Sequence, residues 1–167
     1  TFLAAQYHDI TPDVVTLAKP IGAGLPMGVC LANETYANTL EKGEHGSTFG
    51  GGPLVCRAAA VFLDEIDNGL LDHVTQRGEQ LRTGLLQLQD ELPAIKEVRG
   101  RGLMLGLRLD RQAAEVQQAL HQEGLLLNCT AGDVLRMMPP FVVTESQIDD
   151  GIQRIRKVLQ SLPHPRQ

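Results

Sequence analysis

Apolar and polar positions follow two rhythms along this chain, and the passage from one to the other marks out its elements. Asp13-Val14-Val15-Thr16-Leu17-Ala18 is a short β-branched and apolar run that predicts a buried strand ending at Lys19-Pro20. Proline at position 20 has no amide hydrogen and biases Lys19 away from helical dihedrals, so the strand cannot simply continue as a helix. A loop, Ile21-Gly22-Ala23-Gly24-Leu25-Pro26, leads to a second apolar run, Met27 to Ala32, that reads as another strand. Residues 36–42 suit one or two helical turns, and the glycine-rich polar stretch 43–52 reads as a loop. Pro53 fits the first position of a helix, and Ala58, Ala59, Phe62, Leu63 and Ile66 keep helical spacing up to a break at Asn68-Gly69. A second helix then carries Leu70, Val74, Leu81, Leu85, Leu88 and Leu92 and ends before Pro93.

After that helix the rhythm shortens. Gly100 to Leu109 predicts a strand, Arg111 to Glu123 a helix stopped by Gly124, and Leu125 to Cys129 and Val134 to Met138 two more short strands. Thr144 with Gln147 three residues on resembles a capping box. Behind it Ile148, Ile152, Ile155, Val158, Leu159 and Leu162 form one apolar stripe before Pro163. The expected organisation is α/β throughout: residues 1–69 as one lobe, 70–93 as a linking helix, and 94–167 as a small α/β lobe.

Composition narrows the function. The formal net charge of -5 leaves no basic stripe of the kind that displaces phosphate counterions, which argues against a nucleic-acid partner and for small molecules or protein. Cys30, Cys56 and Cys129 are too widely spaced for a metal knuckle or a disulfide framework, and read as reduced and mostly buried in a cytoplasmic protein, with no metal site. No apolar run reaches the roughly 18 residues of a membrane span, and no basic-then-apolar leader is visible. The sequence opens at Thr1 without an initiator methionine, as though entered mid-stream, which suggests a piece of a longer chain.

Of the four lysines, only Lys19 ends an apolar strand and borders a glycine-rich loop; Lys42, Lys96 and Lys157 lie among charged or exposed-looking neighbours. A lysine desolvated at a strand end loses part of its preference for the ammonium form, and its free amine can then capture a carbonyl cofactor. The plainer alternative is a lysine whose ammonium reaches solvent. His45-Gly46-Ser47-Thr48-Phe49-Gly50-Gly51-Gly52-Pro53 offers two hydroxyls and several amides ahead of a helix, either as a phosphate cradle or as an ordinary flexible loop. Arg136, framed by Val134-Leu135 and Met137-Met138-Pro139-Pro140, either grips a substrate carboxylate with its planar fork or serves a structural salt bridge. Asn128 and Thr130 read as loop-capping groups outside any site.

Residues 12–28, Pro-Asp-Val-Val-Thr-Leu-Ala-Lys-Pro-Ile-Gly-Ala-Gly-Leu-Pro-Met-Gly, resemble the cofactor-lysine signature of the class III pyridoxal-phosphate-dependent aminotransferases. Ser47-Thr48-Phe49-Gly50-Gly51 resembles that family's next landmark, although Gly52 stands where many relatives have asparagine. Val98-Arg99-Gly100-Arg101-Gly102-Leu103-Met104-Leu105-Gly106, the arginine strand and the terminal helix continue the likeness. Leu125-Leu126-Leu127-Asn128-Cys129-Thr130 with the arginine strand is most similar to the acetylornithine branch.

The resemblance implies the C-terminal part of a fold-type I transferase: the end of a large, mainly parallel sheet domain, long linking helices and a small C-terminal α/β domain. It implies that Lys19 carries pyridoxal 5'-phosphate and acts as the proton-transferring base. Thr48, with Ser47 as a companion, would contact the cofactor phosphate of the neighbouring subunit in a homodimer, and Arg136 would bind the substrate carboxylate. The implied reaction moves the terminal amine of an N-acylated ornithine to 2-oxoglutarate, in arginine biosynthesis or ornithine metabolism. Alternatives are ornithine, succinylornithine or 4-aminobutyrate as donor, or an inert dimerising fragment. The ring-stacking aromatic, the acidic partner of the pyridine nitrogen, the main phosphate loop and a glutamate facing Arg136 would lie upstream, so the segment alone is expected to be inactive.

Overall fold

The computed structural model describes residues 1–162; Pro163, expected to stop the last helix, lies outside the described residues. The chain forms two compact units, Thr1–Leu71 and Asp72 onward. In the first, α1 (Ala4–Tyr7) precedes β1 (Val14–Ala18), a 3-10 turn spans Lys19–Gly22, and β2 (Gly28–Ala32) returns antiparallel to β1 in the register Val14↔Ala32 to Ala18↔Gly28. A one-turn helix, α2 (Glu34–Ala37), starts where the Asn33 side chain accepts from the Tyr36 amide, and Asn33 also donates to Asp13 at 2.7 Å. After the 43–52 loop comes α3 (Pro53–Glu65), with proline at its first position as expected.

The first unit buries little. Ile21 and Ala59 are its buried apolar side chains, and α3 lies against the turn that holds Ile21. Val14, Leu31, Phe49 and Leu54 are exposed. This corrects the expectation of a buried strand: β1 alternates between exposed and half-buried because a two-stranded sheet has two faces and the unit supplies no second layer over either. The cysteines are corrected for the same reason, since Cys30 and Cys56 are exposed and only Cys129 is half-buried; all three are free.

Between the helices the backbone leaves helical dihedrals at Gly69 (φ 100) inside a wide turn, Ile66–Leu70, where the sequence marks a break. The second unit then packs one sheet under three helices. Its strands are β3 (Ile95–Arg101), β4 (Met104–Leu109), β5 (Asn128–Thr130) and β6 (Val134–Met137), in the order β3-β4-β6-β5, antiparallel throughout. The expected strand over 100–109 is a hairpin instead. Gly102 (φ 54) takes the left-handed turn that lets Arg101 pair with Met104, a conformation that apolar rhythm does not reveal. The expected strand at 125–129 is likewise shorter and later, as β5.

Alternation of side chains sends Val98, Leu105, Leu107, Leu109, Leu135 and Met137 to one face. They meet Leu81, Leu85 and Leu88 of α4 (Leu71–Glu91), Ala113, Val116 and Leu120 of α5 (Ala113–Gln122), and the Ile148, Ile152, Ile155, Val158 and Leu159 stripe of α6 (Glu145–Ser161). Leu85, Leu88, Leu107, Leu120 and Leu135 have no solvent exposure, and each full burial contributes roughly 1.5–3 kcal/mol. The capping box of α6 forms as expected: Thr144 Oγ1 accepts from the Gln147 amide at 3.3 Å and Gln147 Oε1 accepts from the Thr144 amide at 2.9 Å. Gln80 of α4 donates to Asp149 of α6 at 2.6 Å, fixing the two helices at their polar edge.

Gly78 of α4 lets the helix touch the hairpin turn, because a Cβ there would lie 2.7 Å from the backbone of Gly102. Gly78→Ala should therefore lower stability by about 1–3 kcal/mol through overpacking. Gly46→Ala, at a position with open space around it, should change it by less than about 0.5 kcal/mol. Urea unfolding midpoints of the two variants check this, and equal shifts would contradict the close contact.

Candidate functional site

Lys19 follows immediately on β1, whose last residue, Ala18, is fully extended (φ -151, ψ -176). Lys19 itself has φ 59, in the left-handed region that an L residue with a long side chain rarely occupies. A second left-handed residue, Ala23 (φ 48), ends the turn, with its amide donating to the Pro20 carbonyl at 2.9 Å. Strand, reversed lysine and turn thus hold the lysine where the sheet stops, with Ile21 and Gly22 buried beneath. The expected desolvation of Lys19 is corrected: it is exposed, because β1 has no covering layer in this unit. An outlying backbone held at one lysine is the kind of local cost that persists at functional positions.

The hydroxyl loop lies in the same unit. Ser47, Thr48 and Phe49 are exposed, Ser47 and Gly50 close a turn in which the Gly50 amide donates to the Ser47 carbonyl at 3.3 Å, and the loop feeds straight into α3. The Lys19 turn packs against that same helix, so the lysine segment and the hydroxyl loop adjoin one element. A primary amine at a strand end, together with hydroxyls and amides ahead of a helix N-terminus, suits a group with an aldehyde and a phosphate. The chemistry of this donor set is compatible with pyridoxal phosphate. Among the described residues no group of histidines, cysteines and carboxylates could hold a metal ion.

Arg136 belongs to the second unit, in β6, on the sheet face away from the three helices. It is half-buried, and its Nε is buried without a hydrogen-bond partner. The Nε atoms of Arg77 and Arg156 are in the same condition, so the unpartnered nitrogen by itself does not mark Arg136 as a site. The structural salt bridge weighed for this arginine is not formed among the described residues. Asn128, expected to cap a loop, stands in β5 directly opposite Arg136, and Thr130 stands opposite Val134. Arg99 falls in the same row through Gly106.

The second unit also has an apolar hollow of about 260 Å³, lined by Leu81, Leu125, Leu127, Met137, Pro139 and Ile155 among others. It contains no titratable side chain, so proton-transfer chemistry is not placed there. Among the described residues no helix is long and apolar enough to cross a membrane.

Comparison with known proteins agrees with the order of these features. The family model described as Aminotransferase class-III matches residues 1–159. The acetylornithine aminotransferase of Aquifex aeolicus (strain VF5) is 44% identical over 158 residues, covering 95% of this chain and 40% of that protein. Among solved structures, acetylornithine aminotransferase from Elizabethkingia anophelis superposes with a TM-score of 0.90 at 32% identity, covering 97% of this chain and 42% of that one. The ornithine aminotransferase from Toxoplasma gondii ME49 reaches a TM-score of 0.89 at 35% identity, over 96% and 40% of the two chains. The chain belongs to the class III aminotransferases. It spans about 40% of the length of the curated relatives it matches.

Because an L residue in the left-handed region costs about 1–2 kcal/mol, Lys19→Gly should stabilise the cofactor-free protein by about 1 kcal/mol, whereas Lys19→Ala should not. Urea midpoints of the two variants test it. A drop in stability for the glycine variant would mean that the reversed backbone at position 19 is not a cost the fold bears.

Proposed function

We propose that the protein of which these residues form part is a pyridoxal-phosphate-dependent aminotransferase that moves the terminal amine of an N-acylated ornithine to 2-oxoglutarate. What supports this most is the lysine held in a left-handed turn at the end of β1, inside a segment of the family it belongs to. The donor is inferred from the relatives named acetylornithine aminotransferase. Ornithine as donor is the second reading, favoured by the structural likeness to the Toxoplasma gondii protein.

In this reading the first unit belongs to a large, mainly parallel cofactor-binding domain and the second is the small C-terminal domain. Bound pyridoxal phosphate supplies an aldehyde that condenses with amines and a ring that accepts electron density. The Lys19 amine would be the group that holds it. The Lys19 Nζ would also take a proton from the substrate carbon and later return one, which is general base and acid work by one nitrogen. The hydroxyl of Thr48, seconded by Ser47, would donate to the phosphate of a neighbouring subunit's cofactor in a homodimer. Arg136 binds the substrate carboxylate through its planar fork and so orients the carbon that loses its proton. A donor reacting through its terminal amine leaves a semialdehyde.

Assays of the full-length protein with 2-oxoglutarate against N-acetylornithine, ornithine and 4-aminobutyrate test the donor, and N-acetylornithine should give the highest kcat/KM. Preference for 4-aminobutyrate would retire the ornithine readings together. Lys19→Ala should remove the visible absorption of the purified protein and reduce turnover by at least about a thousandfold. Thr48→Ala should weaken cofactor retention by about tenfold with little change in fold, as expected for loss of one charge-assisted hydrogen bond.

A further inference from the structure

The hairpin that ends at Lys19 lacks the two features that usually fix strand register. Its connection, residues 19–27, is longer than the loops of about two to five residues whose turn type dictates pairing. Its faces do not fix the register either. Val15 and Leu17 stand opposite Leu31 and Val29 on one face, and Thr16 stands opposite Cys30 on the other. A slip by two residues keeps every side chain on its own face, and neither strand carries a charge that a slip would misplace. With no second layer over this two-stranded sheet, packing adds little discrimination.

Beyond the last strand pair, Val14↔Ala32, the next residues in register are Asp13 and Asn33. The Asn33 amide donates to the Asp13 carbonyl at 2.9 Å, and Asn33 Nδ2 donates to Asp13 Oδ1 at 2.7 Å. Asn33 Oδ1 in turn accepts from the Tyr36 amide at 3.2 Å. One side chain thus closes the hairpin with its donor end and starts α2 with its acceptor end, a combination that an ionised aspartate, with no N–H, cannot supply. Slipped by two residues, Asn33 would face Thr11 or Val15, and the Asp13 carboxylate would lose its donor. Both residues are exposed, so the pair adds little to global stability; its effect is to set one register apart from the others.

We propose that Asp13 and Asn33 are the register lock of this hairpin and act as positioning residues for Lys19. A slip by two residues would move the end of β1 by roughly 7 Å along β2. It would carry Lys19 away from the turn that packs on α3, and so from the hydroxyl loop that feeds that helix. An amine that must reach an aldehyde tolerates far less displacement than that. The consequence for cofactor capture rests on the function proposed above; the register lock does not.

Disulfide mapping on the full-length protein reads the register directly. Thr16→Cys places a thiol opposite the exposed, free Cys30, whereas Val14→Cys or Ala18→Cys comes opposite it only after a two-residue slip. With Asp13 and Asn33 intact, oxidation should join Cys30 to position 16 and leave positions 14 and 18 largely unpaired. Asn33→Asp keeps an acceptor for the Tyr36 amide but sets two carboxylates against each other. It should lower the position-16 disulfide by about threefold or more and raise one at position 14 or 18. At limiting pyridoxal phosphate it should also lower the pyridoxyl-phosphate adduct that borohydride traps on Lys19, by about tenfold. Exchanging the pair, Asp13→Asn with Asn33→Asp, restores donor and acceptor and should restore both readouts, which a general loss of fold would not allow. Asp13→Asn alone removes the charge without creating repulsion and should shift both readouts the same way by less, so the lock is tested even if Asn33→Asp fails to fold. An unchanged disulfide pattern in the Asn33→Asp and Asp13→Asn proteins, or no recovery on exchange, would overturn the lock. A slipped register with an undiminished Lys19 adduct would overturn the positioning role. A locked hairpin whose Lys19 carries no adduct in the wild type contradicts the proposed function alone.

Discussion

Burial of one sheet face against three helices is the constraint on which the second unit depends. Period-two alternation on β3, β4 and β6 commits every second side chain to that layer, so the intervening ones must all share the opposite face. The arginines did not need to be gathered individually. Once Leu105, Leu107 and Leu135 are buried, Gly106, Arg108 and Arg136 have nowhere else to go. A one-residue slip would carry the arginines into the core, where an unpaired charge costs far more than the leucines could recover. Register and the polar row are thus the same fact.

The first unit works under the opposite condition. Its strands are apolar but half-covered, and its buried apolar side chains are Ile21 and Ala59. What it specifies tightly is local: a strand end, a lysine with reversed backbone, a left-handed alanine, and a proline-started helix against the turn. Such geometry is held by chain stereochemistry and short hydrogen bonds, and it needs less burial than a packed core does.

Helices were legible in the sequence because their signals are local. Pro53, the Asn68-Gly69 break, Gly124, and Thr144 with Gln147 each mark an end by a mechanism that acts within one turn, and the observed helices begin or end beside them. The hairpin at Gly102 was not legible, since a run of apolar alternation reads the same whether or not it folds back on itself. Burial of β1, Cys30 and Cys56 was misjudged for a different reason: apolar character gives a preference for cover but does not say whether the unit supplies it. Lys19 and Arg136 stood out as charged residues in apolar frames.

The central claim is that one amine among the four lysines of the chain, that of Lys19, holds an aldehyde cofactor. Borohydride reduction of the purified full-length protein, followed by proteolysis and peptide mass mapping, fixes such a bond irreversibly and locates it. The account predicts a pyridoxyl-phosphate adduct on the peptide containing Lys19 and none on those containing Lys42, Lys96 or Lys157. An adduct confined to another lysine, or an unmodified Lys19 in a protein that retains its cofactor, would contradict it.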